Sequence, residues 1–236
     1  MKYKVIDTGV ASAQVNMDID RNLLNDLESD SEPIIHFYDW SNPSATYGHF
    51  IQPEKYLSMD AVNLNFLDLG KRPTGGGVIF HLSDLAFSVL IPSNHRLYSL
   101  NTLENYSNIN KIVIEAICEF LGKSLNIALF QSPSEKGYPK FCMAQPTVYD
   151  VMIEGKKVGG AAQRKTKTGF LHQGSISLAV PPYEWIEKIV LDPLKLINSM
   201  REYSFYLIEG DPSKNLLKQV RLDFRNFLLN AFNLNS

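Results

Sequence analysis

Between Thr102 and Leu121 the chain sets Leu103, Tyr106, Ile109, Val113, Ile117 and Phe120 on one face of a helix, with Thr102 as the expected cap. This is the longest helical pattern in the sequence. Short β-branched and aromatic runs crowd both sides of it without comparable helices between them. Strands gathered about one long helix do not fit a regular βαβ winding, and they point to an α+β fold. The expected architecture is a single domain over residues 1–236, with a mixed or antiparallel sheet packed against helices. Residues 181–236 form its helical C-terminal part.

The remaining pattern fills in that frame. Met17 to Leu27 reads as a helix, Ile34 to Tyr38 as a strand after the Pro33 break, and Asn42-Pro43-Ser44 as a turn. Thr46 to Gly48 reads as a short strand, Pro53 to Met59 as a short helix, and Val62 to Leu67 as another strand. Strands are expected at Val78 to His81, Leu85 to Ile91, near Leu125 to Phe130, and from Phe170 to Val180. Tyr149 to Ile153 and Lys157 to Gln163, joined by Glu154-Gly155, read as a hairpin. The loop rich in Ser, Pro, Gly and Lys that ends at Phe141-Cys142-Met143-Ala144-Gln145-Pro146 is expected to act as a lid. Trp185, Ile186 and Ile189, then Leu216 to Leu228, carry helical spacing.

Composition excludes several classes. The formal net charge of −2 leaves no global basic field for nucleic acid. No window approaches the apolar length of a membrane span, so a soluble protein is expected. The charged start Lys2-Tyr3-Lys4 is no signal peptide, and two cysteines form no disulfide framework, which together imply a cytoplasmic setting. Cys118 lies among apolar residues of the long helix and is expected in the core.

Three local features carry chemistry. Arg72-Pro73-Thr74-Gly75-Gly76-Gly77 opens into Val78-Ile79-Phe80-His81, and glycines there let a ligand reach bare backbone amides while Arg72 grips an anion. Taken alone the run also fits a tight strand-to-strand turn. Lys157 precedes Val158-Gly159-Gly160-Ala161-Ala162-Gln163, a run so poor in bulk that something flat or long fits against it. A cation there would stabilise charge that develops in acyl transfer, with Lys156 the solvent-facing neighbour by strand alternation. Asp150 fits a Mg²⁺ ligand or a turn-capping or ion-pairing acid equally. Two phosphate signatures fail: no G-x-G-x-x-G opens a helix, and Gly122-Lys123-Ser124 has Ile117 where a P-loop requires glycine. Gly122 is simply a helix stop.

Taken in order, Arg72 to His81, Asp150, Gly155 to Gln163, and His172-Gln173-Gly174-Ser175-Ile176 resemble the lipoate–protein ligase A family, which is related to biotin ligases and octanoyltransferases. The resemblance runs from about Val15 to Val180 and includes Phe37-Tyr38-Asp39-Trp40 and Tyr47-Gly48. It implies a catalytic domain of the biotin/lipoate-ligase type. Arg72, Gly75, Gly76 and Gly77 would line the acyl and phosphate site, together with Gly159, Gly160 and Ala161. Lys157 would contact the activated acyl carbonyl, and His81 and His172 would shape the pocket in structural roles. The Arg-rich glycine loop of biotin ligases is absent.

The resemblance leaves three activities open. A ligase would join lipoate or octanoate to a lysine of a carrier domain through an acyl-adenylate, with ATP and with Mg²⁺ held by Asp150. Gly77 and Asp150 favour this branch and put it slightly ahead. A transferase would need no cofactor: Cys142 lies eight residues before Asp150, where similar cysteine-dependent octanoyltransferases place their nucleophile before a glutamate. A thiolate takes an acyl group from a thioester at little change in bond energy. The third is a non-catalytic acyl-binding module. Implied partners are apo lipoyl domains of 2-oxoacid dehydrogenase complexes or the glycine-cleavage H protein, and acyl carrier protein.

Overall fold

The computed structural model describes residues 3–122, 125–132 and 137–235. Its frame is a seven-stranded mixed sheet in the order β1-β2-β6-β10-β9-β8-β7, beside a three-stranded sheet in the order β4-β3-β5. The large sheet consists of β1 (Lys4–Ala11), β2 (Ile34–Trp40), β6 (Asp84–Pro92), β7 (Ile127–Leu129), β8 (Val151–Ile153), β9 (Lys156–Lys165) and β10 (Gly169–Ser177). The small one holds β3 (Ser44–Tyr47), β4 (Asp68–Lys71) and β5 (Val78–His81). Around them lie α1 (Ala13–Asn25), α2 (Met59–Asn63), α3 (Thr102–Leu121), α4 (Tyr183–Ile189), α5 (Pro193–Tyr203) and α6 (Lys214–Leu234). The α+β expectation is met, and no helix among the described residues is long and apolar enough to cross a membrane.

The two faces of the large sheet differ in kind. On one, Phe87, Val89 and Ile91 of β6 with Phe170 and Ile176 of β10 pack against Ile109, Ile112, Val113, Ala116 and Ile117 of α3 and against Phe224, Leu228 and Phe232 of α6. The i, i+3, i+4 spacing of the α3 residues makes that contact, and its burial is the principal source of stability here. The opposite face is apolar where Ile34, Leu90 and Leu171 meet Leu24 and Leu27 of α1, and polar and small-residued beyond that. A second core gathers Ala45, Val78, Phe80, Phe141, Ile186, Leu196 and Met200 around the small sheet, α4 and α5.

Several local expectations are corrected. Val62 to Leu67 is not a strand: Ser58 caps α2 by accepting from the Ala61 amide, Asn65 turns the chain at φ 59, and the strand follows at Asp68. The turn at Pro53–Lys55 is a separate 3₁₀ segment. Asn101, not Thr102, caps α3, its side chain accepting from the Leu103 amide. Cys118 is exposed, because it falls about 100° around the helix from Ile117 and off the apolar face. β1 carries no apolar alternation; it pairs parallel to β2 at the sheet edge and bulges between Asp7 and Val10. Gly122 ends α3 at φ 58 as expected, whereas Lys123 and Ser124, and residues 133–136 of the expected lid, lie outside the described residues.

Candidate active site

Sheet register explains why a cleft lies on the second face. Gly160 pairs with Ser175, Ser175 with Ala86, Ala162 with Gln173, and Gln173 with Ser88. Directly opposed residues share a face, so two rows of small and polar side chains cross the sheet side by side. Above them the small sheet, α1 and the segment from Lys140 to Thr147 enclose a cleft of about 490 Å³.

The glycine loop is shaped by Arg72. Its guanidinium donates to the carbonyls of Thr46 (3.1 Å), Gly75 (3.0 Å) and Gly77 (2.8 Å) and to Thr46 Oγ1 (2.9 Å). Two bonds to the glycine loop and two to Thr46 of β3 make Arg72 a clamp between them while it still borders the cleft. Gly76 and Gly77 line the cleft; Gly75 supplies only a carbonyl to the clamp and is not among the lining residues. A Cβ at Gly77 would sit 2.1 Å from the Lys140 carbonyl oxygen, so the loop and the Cys142 segment touch backbone to backbone. Thr74 donates to Gln173 Oε1 (2.7 Å), and Gln173 Nε2 donates to Asp20 of α1 (2.6 Å), which ties the loop to the buried Asp20–His36 pair.

Cys142 lies at the loop's mouth. Its amide donates to the Val78 carbonyl (2.9 Å), Val78 donates to the Lys140 carbonyl (2.6 Å), and the Gly77 amide points at Cys142 Sγ (3.1 Å). The sulfur is thus within reach of a backbone donor of the glycine loop. Behind it, Ser199 Oγ donates to the Ala144 carbonyl (3.2 Å) and Ser204 Oγ to the Met143 carbonyl (2.7 Å), so the end of α5 buttresses this segment.

Lys157 and Asp150 form a buried pair at 2.6 Å, and Lys157 Nζ also donates to the Gln145 carbonyl (3.3 Å). Asp150 accepts from the Thr147 amide (2.6 Å) and hydroxyl (2.9 Å). Burial pushes the Asp150 carboxyl up, opposed by the Lys157 ammonium and by Thr147. A Cβ at Gly160 would lie 2.7 Å from Lys157 Cε, which is why the lysine needs a glycine beside it. Gly159, Gly160 and Ala161 border the cleft. Lys156 is exposed and Lys157 buried, as strand alternation requires. Among the described residues no cluster of three or more His, Cys, Asp or Glu is gathered for a metal. Lys157 and Thr147 share Asp150 Oδ2, while Oδ1 faces the Gly160 stretch of the cleft.

The two histidines separate. His81 borders the cleft, stacks on Trp40 (4.1 Å between centroids), and lies 2.8 Å from both Thr46 Oγ1 and Asp84 Oδ2. Thr46 Oγ1 also accepts from Arg72, and Asp84 Oδ2 also accepts from Ser175, so both partners of the imidazole are held in turn. Burial raises the Asp84 carboxyl, but His81, Ser175 and Arg221 outweigh it and hold it below the usual range. His172 lies on the core face, fully buried beside Gln163 and off the cleft.

The model of the lipoyl protein ligase A/B catalytic domain matches residues 12–218. The chain belongs to that family. Within the lipoyl protein ligase A/B family, the octanoyltransferase LipM of Anoxybacillus flavithermus is 34% identical over 182 residues, 75% of this chain and 65% of its own length. LipM of Geobacillus kaustophilus is 31% identical over the same shares. The matched region thus spans just under two thirds of these relatives. A crystal structure of lipoate–protein ligase A bound with ATP aligns with 98% of this chain and 86% of its own, at a TM-score of 0.72 and 20% identity, a likeness of fold.

Sequence reasoning on this family domain missed part of the cleft wall. Met17 and Ala86 line it beside Tyr38 and Gln173 of the motifs, although they sit far apart in sequence and read as helix and strand residues. The sheet register places Ala86, Tyr38 and Gln173 on one face, and the packing of α1 across that face brings in Met17.

His172 supplies a pH signature for the fold. Burial pulls its imidazole down to about 3 from 6.5, so the folded state keeps it neutral where the unfolded chain takes up a proton. The unfolded state binds more protons between these values, so stability is full above about 6.5 and falls as the pH drops toward 3. The slope from this one group is at most about 1.4 kcal/mol per pH unit. Urea denaturation of His172→Gln should therefore lose less stability than wild type between about pH 6 and pH 4; parallel curves would refute the assignment.

Proposed function

We propose that the protein is a cysteine-dependent octanoyltransferase, moving an octanoyl group from a thioester donor to a lysine of an apo lipoyl domain. The observation that carries this reading is Cys142 at the cleft mouth with the Gly77 amide 3.1 Å from its sulfur. The octanoyltransferase relatives support it over the ligase.

In the first step the Cys142 thiolate attacks the thioester carbonyl. The carbon–sulfur bond to the donor breaks, and the donor leaves as a thiol with the proton that Cys142 gave up. In the second step the neutral acceptor amine attacks the acyl-cysteine, the carbon–sulfur bond breaks as the amide forms, and Cys142 leaves as thiolate while the proton of the amine passes to water. Neither step needs a nucleotide. The Lys157 ammonium, fixed by Asp150, is the cation beside the oxyanion of both tetrahedral intermediates. Arg72 and the glycine loop hold the backbone that the acyl group lies against.

The test is intact mass of an apo lipoyl domain incubated with the enzyme and either octanoyl carrier protein or lipoate with ATP and Mg²⁺. Modification from the thioester alone is expected. Modification only with lipoate and ATP would replace this reading with the ligase, and none from either donor would leave an acyl-binding module.

A further inference from the structure

Which chain the cleft accepts is written in the sheet register, given the transferase reading above. Starting at Lys157 on β9, the row Gly160, Ser175, Ala86 crosses β10 to β6, and the next strand, β2, places Tyr38 in line because Phe37 pairs with Phe87. The first three residues carry almost no bulk. The row then stops against a buried phenol ring that packs on Trp40 at 5.3 Å. Over the same end lies Met17 of α1, in one apolar cluster with Tyr38 and Ala86, its sulfur 3.2 Å from Gln173 Nε2. The other end of the cleft opens past exposed Phe50, Lys55 and Lys140. A wholly apolar tail therefore has one dry direction to take, along the row towards β2.

We infer that Tyr38 and Met17 form the stop that sets acyl chain length, with Ala86 as the floor that must stay small. The dimensions agree. Gly160 to Tyr38 is three strand spacings, about 14 Å. The acyl carbonyl lies over Gly160 rather than end-on against it, so only the contact of about 4 Å between the chain's last carbon and Tyr38 is subtracted, which leaves about 10 Å. An eight-carbon acyl chain has seven carbon–carbon bonds of about 1.5 Å and spans roughly 9 Å in its zigzag form. A longer chain, or one ending in a ring, meets the phenol and the thioether.

The experiment uses the full chain with straight-chain acyl thioesters of about four to twelve carbons as donors, and free fatty acids of the same lengths in binding titrations. Ala86→Leu should move the optimum to about six carbons or fewer and lower octanoyl transfer at least tenfold. Met17→Ala should move it the other way, raising decanoyl relative to octanoyl at least tenfold. The two variants act in opposite directions, so if Ala86→Leu fails to give a cooperative melt, Met17→Ala decides alone. A folded Met17→Ala with the wild-type length profile overturns the inference, as does wild-type protein that binds and transfers no length preferentially. Fatty-acid binding whose preferred length shifts in the variants, with no thioester transfer by wild type, keeps the stop and removes the transferase reading instead.

Discussion

Cys142→Ala should reduce octanoyl transfer by on the order of 10⁴-fold or more, because single removals of a nucleophile cost factors of this size in enzymes that work through a covalent intermediate. Wild-type enzyme given the thioester donor without an acceptor should gain the mass of one octanoyl group, on the peptide containing Cys142. The variant should gain none. Its fold should hold: the side chain is partly exposed, and the loss of the Gly77 amide's sulfur acceptor costs about 1 kcal/mol. A Cys142→Ala protein that still modifies the lipoyl domain from octanoyl carrier protein at near wild-type rate would sink the covalent mechanism.

The second large effect concerns stability as well as rate. Lys157→Met removes the cation from a carboxylate that is 3% exposed, and breaking a buried pair from one side costs about 3–5 kcal/mol. Removing both charges in Lys157→Met/Asp150→Asn should recover most of that stability, since methionine fills the channel beside Gly160 and asparagine keeps an oxygen for Thr147. Activity should not return with it. The single variant also carries a pH sign. Without Lys157 the burial of Asp150 pushes its carboxyl further above the unfolded value of 3.8, so the folded state binds the extra proton. Stability of Lys157→Met should then fall as pH rises above about 4, and acid should rescue it. Equal denaturation midpoints for the single and double variants would mean that the pair is not what holds this corner together.

How much of this was readable in the sequence follows from what is local. The extent of α3, the Glu154-Gly155 hairpin and the exposure of Lys156 against the burial of Lys157 all follow from spacing within a few residues. The glycine loop, Cys142, Lys157 and Asp150 were likewise visible as short motifs, and the fold brings them to one cleft. Arg72 is drawn to the carbonyls of its own loop, a role that a lone arginine beside glycines does not disclose. Asp150 was legible as an acid but not as the partner of Lys157, because their pairing depends on the register shift between β8 and β9. His172 reads like His81 in a motif, yet strand parity sends it to the opposite face. β1 escaped notice since an edge strand buried on neither side has no reason to alternate.

The serines of α5 have a consequence for how such a chain can change over evolutionary time. Ser199 and Ser204 hold the carbonyls of Ala144 and Met143, and the Phe205 amide donates to the carbonyl of Lys157 at 2.7 Å. The motifs that suggest acyl chemistry stop before residue 181, but the wall behind them is built from the helices that follow. The boundary at residue 180 is thus no seam for recombination. A lineage that exchanged its C-terminal helices would have to re-evolve the support of its nucleophile at the same time, so the two parts are constrained to be inherited together.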